Sequence, residues 1–182
     1  MKYLTGLLLA VALLAPFTAT LAEDFDDDFG DEENIRYAWF GGIQGGGAIF
    51  DFTETSGNKP NPDIGFLRLA KMYEHFAFEA RIGGHTGVRS SGRYAVNASY
   101  GIYLEPRIPL GRRAGLYLLG GYGAIDFDTD AFSGVTGSSA TYGAGLWLAT
   151  TRRFRIELEK LRLYEKKAIK IDAISLGFTY DF

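Results

Sequence analysis

The chain has 182 residues, enough for one domain, and its 19 Lys and Arg side chains nearly balance its 22 Asp and Glu side chains. The net charge of −3 gives no reason to expect a nucleic-acid partner, and the absence of cysteine excludes disulfides, thiolate metal sites and a cysteine nucleophile. Because 47% of the residues are hydrophobic, we expect a folded chain, despite its 24 glycines.

Residues 1–22 have the pattern of an export signal. Lys2 supplies the positive start, residues 4–14 form an apolar run, and Pro16 interrupts the sequence before a small-residue site at Ala22. The run is shorter than the roughly 20 residues that a membrane-spanning helix needs. The segment therefore predicts a signal peptide that is cleaved after Ala22.

Residues 23–34 are predicted to form a disordered acidic arm in the periplasm. Eight of the eleven residues from 23 to 33 are Asp or Glu, so the segment repels itself and should stay extended and solvated. Two roles remain open for it: a soluble spacer, or an arm that binds a cation or a protein partner.

From residue 35 onward apolar residues recur with a period of two, which is typical of strands. The alternation is clean in four windows, 76–84, 94–105, 140–149 and 173–182, and weaker in four others, 35–49, 63–71, 114–125 and 154–164. In the last weak window Leu161 and Leu163 fall out of step with Ile156, which predicts a β-bulge after Leu158.

The connections between these eight windows alternate in length, except that the last, at 165–168, is unexpectedly short. Longer connections are predicted at 51–62, 86–93 and 126–139, and short ones at 72–75, 109–113, 151–153 and 165–168. This rhythm, with an interior face of glycine, alanine, serine and charged residues, predicts an all-β fold. We expect residues 35–182 to form an eight-stranded antiparallel up-and-down transmembrane β-barrel in an outer membrane.

Three features together resemble a known family. They are the signal peptide, the glycine-rich first strand at 39–47, and an ending with Phe178, Tyr180 and Phe182 at alternate positions. The chain resembles the small eight-stranded outer membrane β-barrel family, which includes the outer membrane protein A transmembrane domain and the opacity-type surface proteins. The resemblance implies that Phe178, Tyr180 and Phe182 are the signal read by the barrel-assembly machinery. A lipid-facing final strand would favour the same aromatic residues.

Eight charged side chains fall on the predicted inward face, four acidic and four basic. Unpaired charge is costly where water is scarce, so the equal numbers predict pairs that plug the lumen. The alternative is a gated polar path for small solutes. The eight residues are Arg68, Glu79, Arg81, Glu105, Arg107, Arg155, Glu157 and Glu159.

No catalytic set emerges from the sequence. Resemblance to the lipid A deacylases or palmitoyltransferases would require a histidine and a serine near the outer rim. His75 falls in a predicted periplasmic turn. His85 is on the outer side near Ser90 and Ser91, but no strand spacing fixes those serines against it. We therefore predict no enzymatic activity and no cofactor.

The remaining polar motifs are weak. Asp126, Asp128 and Asp130 share one face, but Ala131 stands where a calcium loop of the EF-hand type needs glycine, so no metal site is predicted. Two loop arginines could hold lipopolysaccharide phosphates or be solvated, and both interpretations stay open. They are Arg89 and Arg93.

The sequence thus predicts a non-enzymatic protein with an envelope-structural or adhesion-type role that acts through its outer loops. A narrow solute channel and a lipopolysaccharide-modifying enzyme are the alternatives. The expected partners are outer membrane lipid and lipopolysaccharide, the barrel-assembly machinery, and an unidentified host or envelope partner.

Overall fold

The computed structural model describes residues 39–52, 60–86, 94–129, 133–166 and 169–182. The predicted signal peptide (1–22) and acidic arm (23–34) lie outside the described residues. Within the described ranges, no helix has the length and apolar character needed to cross a membrane.

Eight antiparallel strands, joined in chain order, close into a barrel. The closing pair is formed by the first and last strands, in register from Phe40 opposite Asp181 to Phe52 opposite Ile169. The predicted fold class is therefore confirmed. The strands are β1 (Trp39–Phe52), β2 (Asp63–Met72), β3 (Phe76–His85), β4 (Ala95–Pro109), β5 (Ala114–Asp128), β6 (Val135–Ala149), β7 (Phe154–Lys166) and β8 (Ile169–Asp181).

The two ends of the barrel differ. At one end, which we call the turn end, lie β1's first residue, the last residue of the chain and the three tight turns 73–75, 110–113 and 150–153. The backbone N–H of Phe182 donates to the carbonyl of Trp39 there, at 2.9 Å. The other end, the loop end, carries the remaining four connections. In outer membrane barrels the short turns face the periplasm and the loop end faces the outside.

Alternate residues of each strand face opposite sides of the wall, because successive side chains in a strand point in opposite directions. On β4, for example, Ile102 and Leu104 are exposed while Tyr103 and Glu105 are buried. Large apolar side chains cover the outer surface, as expected of a wall that faces lipid. They include Ile43, Leu67, Leu69, Phe78, Ile82, Leu118, Leu146, Leu158, Ile174 and Leu176.

Exposed aromatic residues mark both edges of this apolar band. Aromatic girdles of this kind sit at the two water interfaces of a membrane barrel. Towards the turn end lie Trp39, Phe76, Phe154 and Phe182; towards the loop end lie Tyr100, Tyr122 and Tyr142.

The prediction of a long loop at 126–139 is wrong. Strand β5 continues to Asp128 and β6 begins at Val135, so the connection spans only 129–134. Beyond the aromatic edge the outward positions of β6 are polar, including Thr136 and Ser138, and the apolar alternation is lost although the strand continues. The turn is completed by Gly134, whose φ of +65° favours glycine.

The predicted bulge after Leu158 is also wrong. Strand β7 keeps its alternation through Leu161 and Leu163, both of which are buried inside the barrel. The register shifts only between Arg162 and Tyr164. The two leucines fall out of step with the outer face because they belong to the inner one.

Pairing between β6 and β7 is incomplete towards the loop end. The pairs run from Ala149 opposite Arg155 to Tyr142 opposite Arg162. Among the described residues, positions 135–141 of β6 pair with β5 alone. Strand β4 stays paired with β5 over the same stretch, up to Ala95 opposite Asp128, so β4, β5 and β6 continue together past the last β6–β7 pair.

Closure of the barrel depends on a glycine at the β1–β8 seam. A Cβ atom placed on Gly46 would lie 1.9 Å from the carbonyl oxygen of Ile174, whereas one on Gly45 would meet nothing within 4 Å. We predict that Gly46→Val prevents closure and that the matched Gly45→Val does not. Unheated and boiled samples on a detergent gel provide the measurement, since a closed barrel resists detergent. If Gly46→Val still migrates differently before and after boiling, while refolding as well as Gly45→Val, the seam does not require glycine.

Candidate functional site

The lumen is the site at which charged residues are concentrated. All eight predicted lumen residues face inward and are at most 9% exposed. They come from three adjacent strands and from β7 across the barrel, and within each strand they stand two residues apart, which aims them at the same side. Arg68 lies on β2, Glu79 and Arg81 on β3, Glu105 and Arg107 on β4, and Arg155, Glu157 and Glu159 on β7.

Arg68 is the centre of the ionic network. Its guanidinium donates to Glu79, with Nε 2.9 Å from Oε2, and to Glu105, with Nη2 3.2 Å from Oε2. It also pairs with Glu157 on the opposite side of the barrel. One arginine thus compensates part of the negative charge of three carboxylates and links β2, β3, β4 and β7.

Arg81 forms a second bridge across the lumen. Its Nε donates to Oε1 of Glu79 at 2.6 Å, and its two terminal nitrogens donate to the carboxylate of Glu159 at 2.5 and 3.0 Å. The hydroxyl of Tyr117 donates to the same Glu159 carboxylate at 3.0 Å. The two hydrogen bonds from Arg81 to Glu159 form a bidentate pair, which is the strongest form of an arginine–carboxylate interaction.

Arg107 completes the central group. Its Nε donates to Glu105 at 2.6 Å and its Nη2 to Glu157 at 3.3 Å. The hydroxyl of Thr179 on β8 lies 3.3 Å from Glu157 and also donates to it. Seven of the eight predicted residues therefore belong to one connected network.

Arg155 has a different partner from the one expected. It pairs with Asp181, the next-to-last residue of the chain, and the side chains of both are at most 15% exposed. The alternation at 173–182 put Asp181 on the inner face but did not count it with the lumen charges. Its inward parity was the signal that could have identified this ninth member.

Aromatic rings pack against the buried arginines. The guanidinium carbons of Arg107, Arg155 and Arg68 lie 4.9, 5.2 and 5.8 Å from the centre of the Phe40 ring. Arg81 lies 5.1 Å from the centre of the Tyr103 ring. Such contacts are worth about 2 kcal/mol or more where water is excluded, so the rings stabilise the charges as well as fill space.

The loop-end part of the lumen is mostly apolar, which corrects the expectation of an interior of glycine, alanine, serine and charges. Buried uncharged polar residues include Gln44, Ser99, Thr141, Ser175 and Thr179. Towards the loop end, inward residues form one buried cluster. The prediction failed because apolar interior residues and small or charged ones alternate equally well with lipid-facing residues. The period of two therefore does not distinguish between them. The cluster includes Ala48, Phe50, Ile64, Phe66, Val96, Leu119, Ile125, Phe127, Leu161, Leu163, Tyr164 and Ile171.

Aromatic contacts connect the upper part of this cluster. Phe50 makes an edge contact with Phe127, their ring centres 6.1 Å apart, and another with Tyr94 at 5.6 Å. The Tyr164 ring lies 5.6 Å from Phe127 and fills the space above Gly137, where a Cβ would meet it at 2.5 Å. Rings from four strands or their ends therefore pack across the barrel.

The turn end of the lumen is filled as well. Phe40, Ala70, Met72 and Ala77 form a second buried apolar cluster, next to the arginines that stack on Phe40. In the described part of the chain, the charges are thus enclosed between two apolar layers. Their chemistry is that of a structural plug, because each group is buried and paired.

Neither histidine has a catalytic arrangement among the described residues. His75 is exposed in the first turn, 3.9 Å from Glu74. The ring Nδ1 of His85 lies 3.2 Å from the backbone carbonyl of Asp63. Ser90 and Ser91, like Arg89 and Arg93, lie outside the described residues.

The acidic residues of β5 act in a turn. The Asp128 carboxylate accepts the backbone N–H of Gly134 at 2.6 Å and the hydroxyl of Ser133 at 3.0 Å. The Gly134 hydrogen bond is the largest cause that lowers the pKa of Asp128, followed by those from Asn97 and Ser133. Asp130 lies outside the described residues, and the described ones contain no cluster of three metal-ligating side chains.

The three aromatic residues at the carboxyl end face outward. Phe178 and Phe182 are half or more exposed, and the Tyr180 ring lies 4.9 Å from that of Phe154 on β7. The structure places them on the lipid-facing surface at the turn end. Their role as an assembly signal stays a prediction.

Comparisons with known proteins agree with this architecture. A family model, the outer membrane protein beta-barrel domain, matches residues 7–182. Neisserial surface protein A has a similar structure at 11% identity (TM-score 0.62), covering 79% of this chain and 97% of that one. So does Ail, the attachment invasion locus protein of Yersinia pestis, solved with the heparin analogue sucrose octasulfate: 19% identity, TM-score 0.56, coverage 81% and 99%.

The amino-terminal barrel domain of Pseudomonas aeruginosa OprF is also similar, at 14% identity and a TM-score of 0.50, covering 78% of this chain and 97% of that one. No curated protein matches the sequence. At these identities the structural matches establish a shared fold.

The connected charges should contribute to the stability of the barrel. Arg68→Met removes the centre of the network but keeps an apolar stem, so three carboxylates lose a partner and the barrel should lose roughly 3–5 kcal/mol. Arg112→Met is the matched control, since Arg112 is exposed in a turn and should change stability by at most about 0.5 kcal/mol. Urea unfolding of the refolded barrel in lipid vesicles measures both. Equal, small effects would show that the network does not stabilise the fold.

Proposed function

Because the chain belongs to the outer membrane protein beta-barrel family, and therefore resides in the outer membrane, we propose that it is a non-enzymatic envelope protein with a surface-interaction role of the adhesion type. The barrel is its rigid membrane anchor. The connections at the loop end are the parts that would contact a partner.

The filled lumen is the observation that carries this proposal. The central ion pairs have fully buried side chains, such as Arg68 with Glu79, and an apolar layer closes each side of them. A conducting path would need water beside these charges. An eight-stranded barrel has an interior just wide enough for side chains to fill, so the interior supports anchoring over transport.

The described residues also support the non-enzymatic role. Both histidines are exposed, one at each end of the barrel, and neither touches a serine or a nucleophile in the described ranges. The relatives' names point the same way: one is a surface protein of Neisseria and another an attachment invasion locus protein of Yersinia pestis. These names support an adhesion-type role for this chain.

Transport and surface interaction predict different measurements. In planar lipid bilayers the purified protein should give no steady conductance, because the lumen is filled. Cells that display it should bind a surface partner, such as host-cell matrix or another envelope component. Replacing residues 53–59 and 87–93 with Gly-Ser linkers should abolish that binding without changing gel migration. Shortening the turn at 110–113 is the matched control. Steady channels from wild-type protein, or full binding by the loop-replaced variant, would contradict the proposal.

We also propose that the barrel-assembly machinery recognises Phe178, Tyr180 and Phe182. Deleting Phe182 should lower the amount of protein in the outer membrane and increase its degradation in the periplasm. Phe76→Ala is the control, because Phe76 is another exposed aromatic residue at the turn end. Quantitative blotting of outer membrane and periplasmic fractions separates the two. Equal losses for both variants would indicate a general need for aromatic residues at the interface.

A further inference from the structure

A charged patch lies on the outer wall where β6, β7 and β8 meet the loop-end aromatic edge. Arg162 projects outward from β7 beside Tyr142 of β6, its guanidinium carbon 5.6 Å from the ring centre. Both Nε and Nη2 donate to the Asp172 carboxylate of β8, at 2.5 and 3.1 Å. Nη1 donates to Glu165 at 2.8 Å. The arginine is held flat and fixed against the wall.

The two acidic groups of the patch are neutralised within the protein. Asp172 takes two hydrogen bonds from Arg162. Glu165 accepts from Arg162, from the Tyr142 hydroxyl at 3.0 Å, and from Lys170, whose Nζ is 3.1 Å away. Hydrogen bonds from these donors, with Arg162 first, hold the pKa of Glu165 at about 2, so it stays ionised at any physiological pH.

Lys160 is different, because it has no partner among the described residues. It projects outward two residues before Arg162, is exposed, and stands between Ala144 of β6 and Ile174 of β8. On the described strands it is the only charged side chain of the outer surface between the two aromatic edges. A lysine facing lipid costs up to about 2–4 kcal/mol at the bilayer midplane, and less towards an interface.

The position of Lys160 indicates which kind of group compensates its positive charge. Its stem can extend towards the interface, as lysines near a membrane surface do, and this direction leads to the patch of Arg162 and Lys170. An anion at that depth, in the leaflet that faces the loop end, would form an ion pair with the ammonium of Lys160. In that leaflet of an outer membrane, such an anion is a phosphate on the lipid headgroup.

We propose that Lys160, with Arg162 and Lys170, forms a binding site for the phosphate of an outer-leaflet glycolipid on the β6–β8 wall. Lys160 supplies the charge that the protein leaves uncompensated. Arg162 and Lys170 supply remaining N–H donors at the headgroup level, where Arg162 is already oriented by its carboxylate partners and Tyr142. The site belongs to the barrel wall and does not depend on the loops binding any partner.

The test compares lipid retention by wild type, Lys160→Met and Lys71→Met. Lys71 is the matched control: it faces outward at the turn end, with its Nζ 5.8 Å from the centre of the Trp39 ring. Each protein is reconstituted in phosphatidylcholine nanodiscs with bisphosphorylated lipid A, with the same lipid A after removal of its phosphates, or with inorganic phosphate and no lipid A. Divalent cations are absent, so that acidic residues cannot bind phosphate through a metal. Native mass spectrometry measures retained lipid or phosphate.

Lys160→Met should retain bisphosphorylated lipid A about tenfold less than wild type, equivalent to one charge-assisted hydrogen bond, while Lys71→Met is unchanged. Dephosphorylated lipid A should be retained weakly and equally by all three proteins, and inorganic phosphate should not be retained. Unheated gel migration checks that each variant is closed. The proposal is overturned if Lys160→Met retains lipid A as wild type does, if removal of the phosphates changes nothing, or if inorganic phosphate alone is retained.

Discussion

A ring of eight strands encloses a space that only side chains can fill, and the rest of this structure depends on that constraint. Closure satisfies every strand edge within the membrane, but it forces inward residues from opposite walls into contact. Arg68 shows the result, since it meets carboxylates from the adjacent β3, from β4 beyond it, and from β7 across the lumen. Such ion pairs connect strands that share no backbone hydrogen bonds, such as β2 and β7.

Strands could be predicted from the sequence where their outer face meets lipid, and were missed where it meets water. Inside the apolar band, lipid on one side and a crowded lumen on the other give a strict period of two, and the strands there were correctly predicted. Above the band, water replaces lipid and the outward residues become polar, as at Thr136 and Ser138. The period then loses its chemical contrast, although the backbone continues as a strand. This is why the loop-end parts of β5 and β6 were mistaken for a loop.

The interior was harder to predict, because burial inside a barrel tolerates either chemistry. Leu161 and Leu163 are buried like Glu157 and Glu159 of the same strand, and only the neighbours across the lumen distinguish an apolar level from a charged one. Which residues share a level depends on strand register. Register follows from seams such as the close approach at Gly46, whose partner Ile174 lies about 130 positions away in the sequence. The pairing of Arg155 with Asp181 was missed for the same reason.

The loop-end part of β5 and β6 is held from both sides. Strand β4 stays paired with β5 up to Ala95 opposite Asp128, and the Tyr164 ring of β7 lies against Phe127 and Gly137, where β6 has no backbone pairs with β7. The Asp128 carboxylate accepts hydrogen bonds from Gly134 and Ser133 across the connection between β5 and β6. Both ends of that connection are therefore anchored, so a partner that binds there has little chain to order and loses little affinity to conformational entropy.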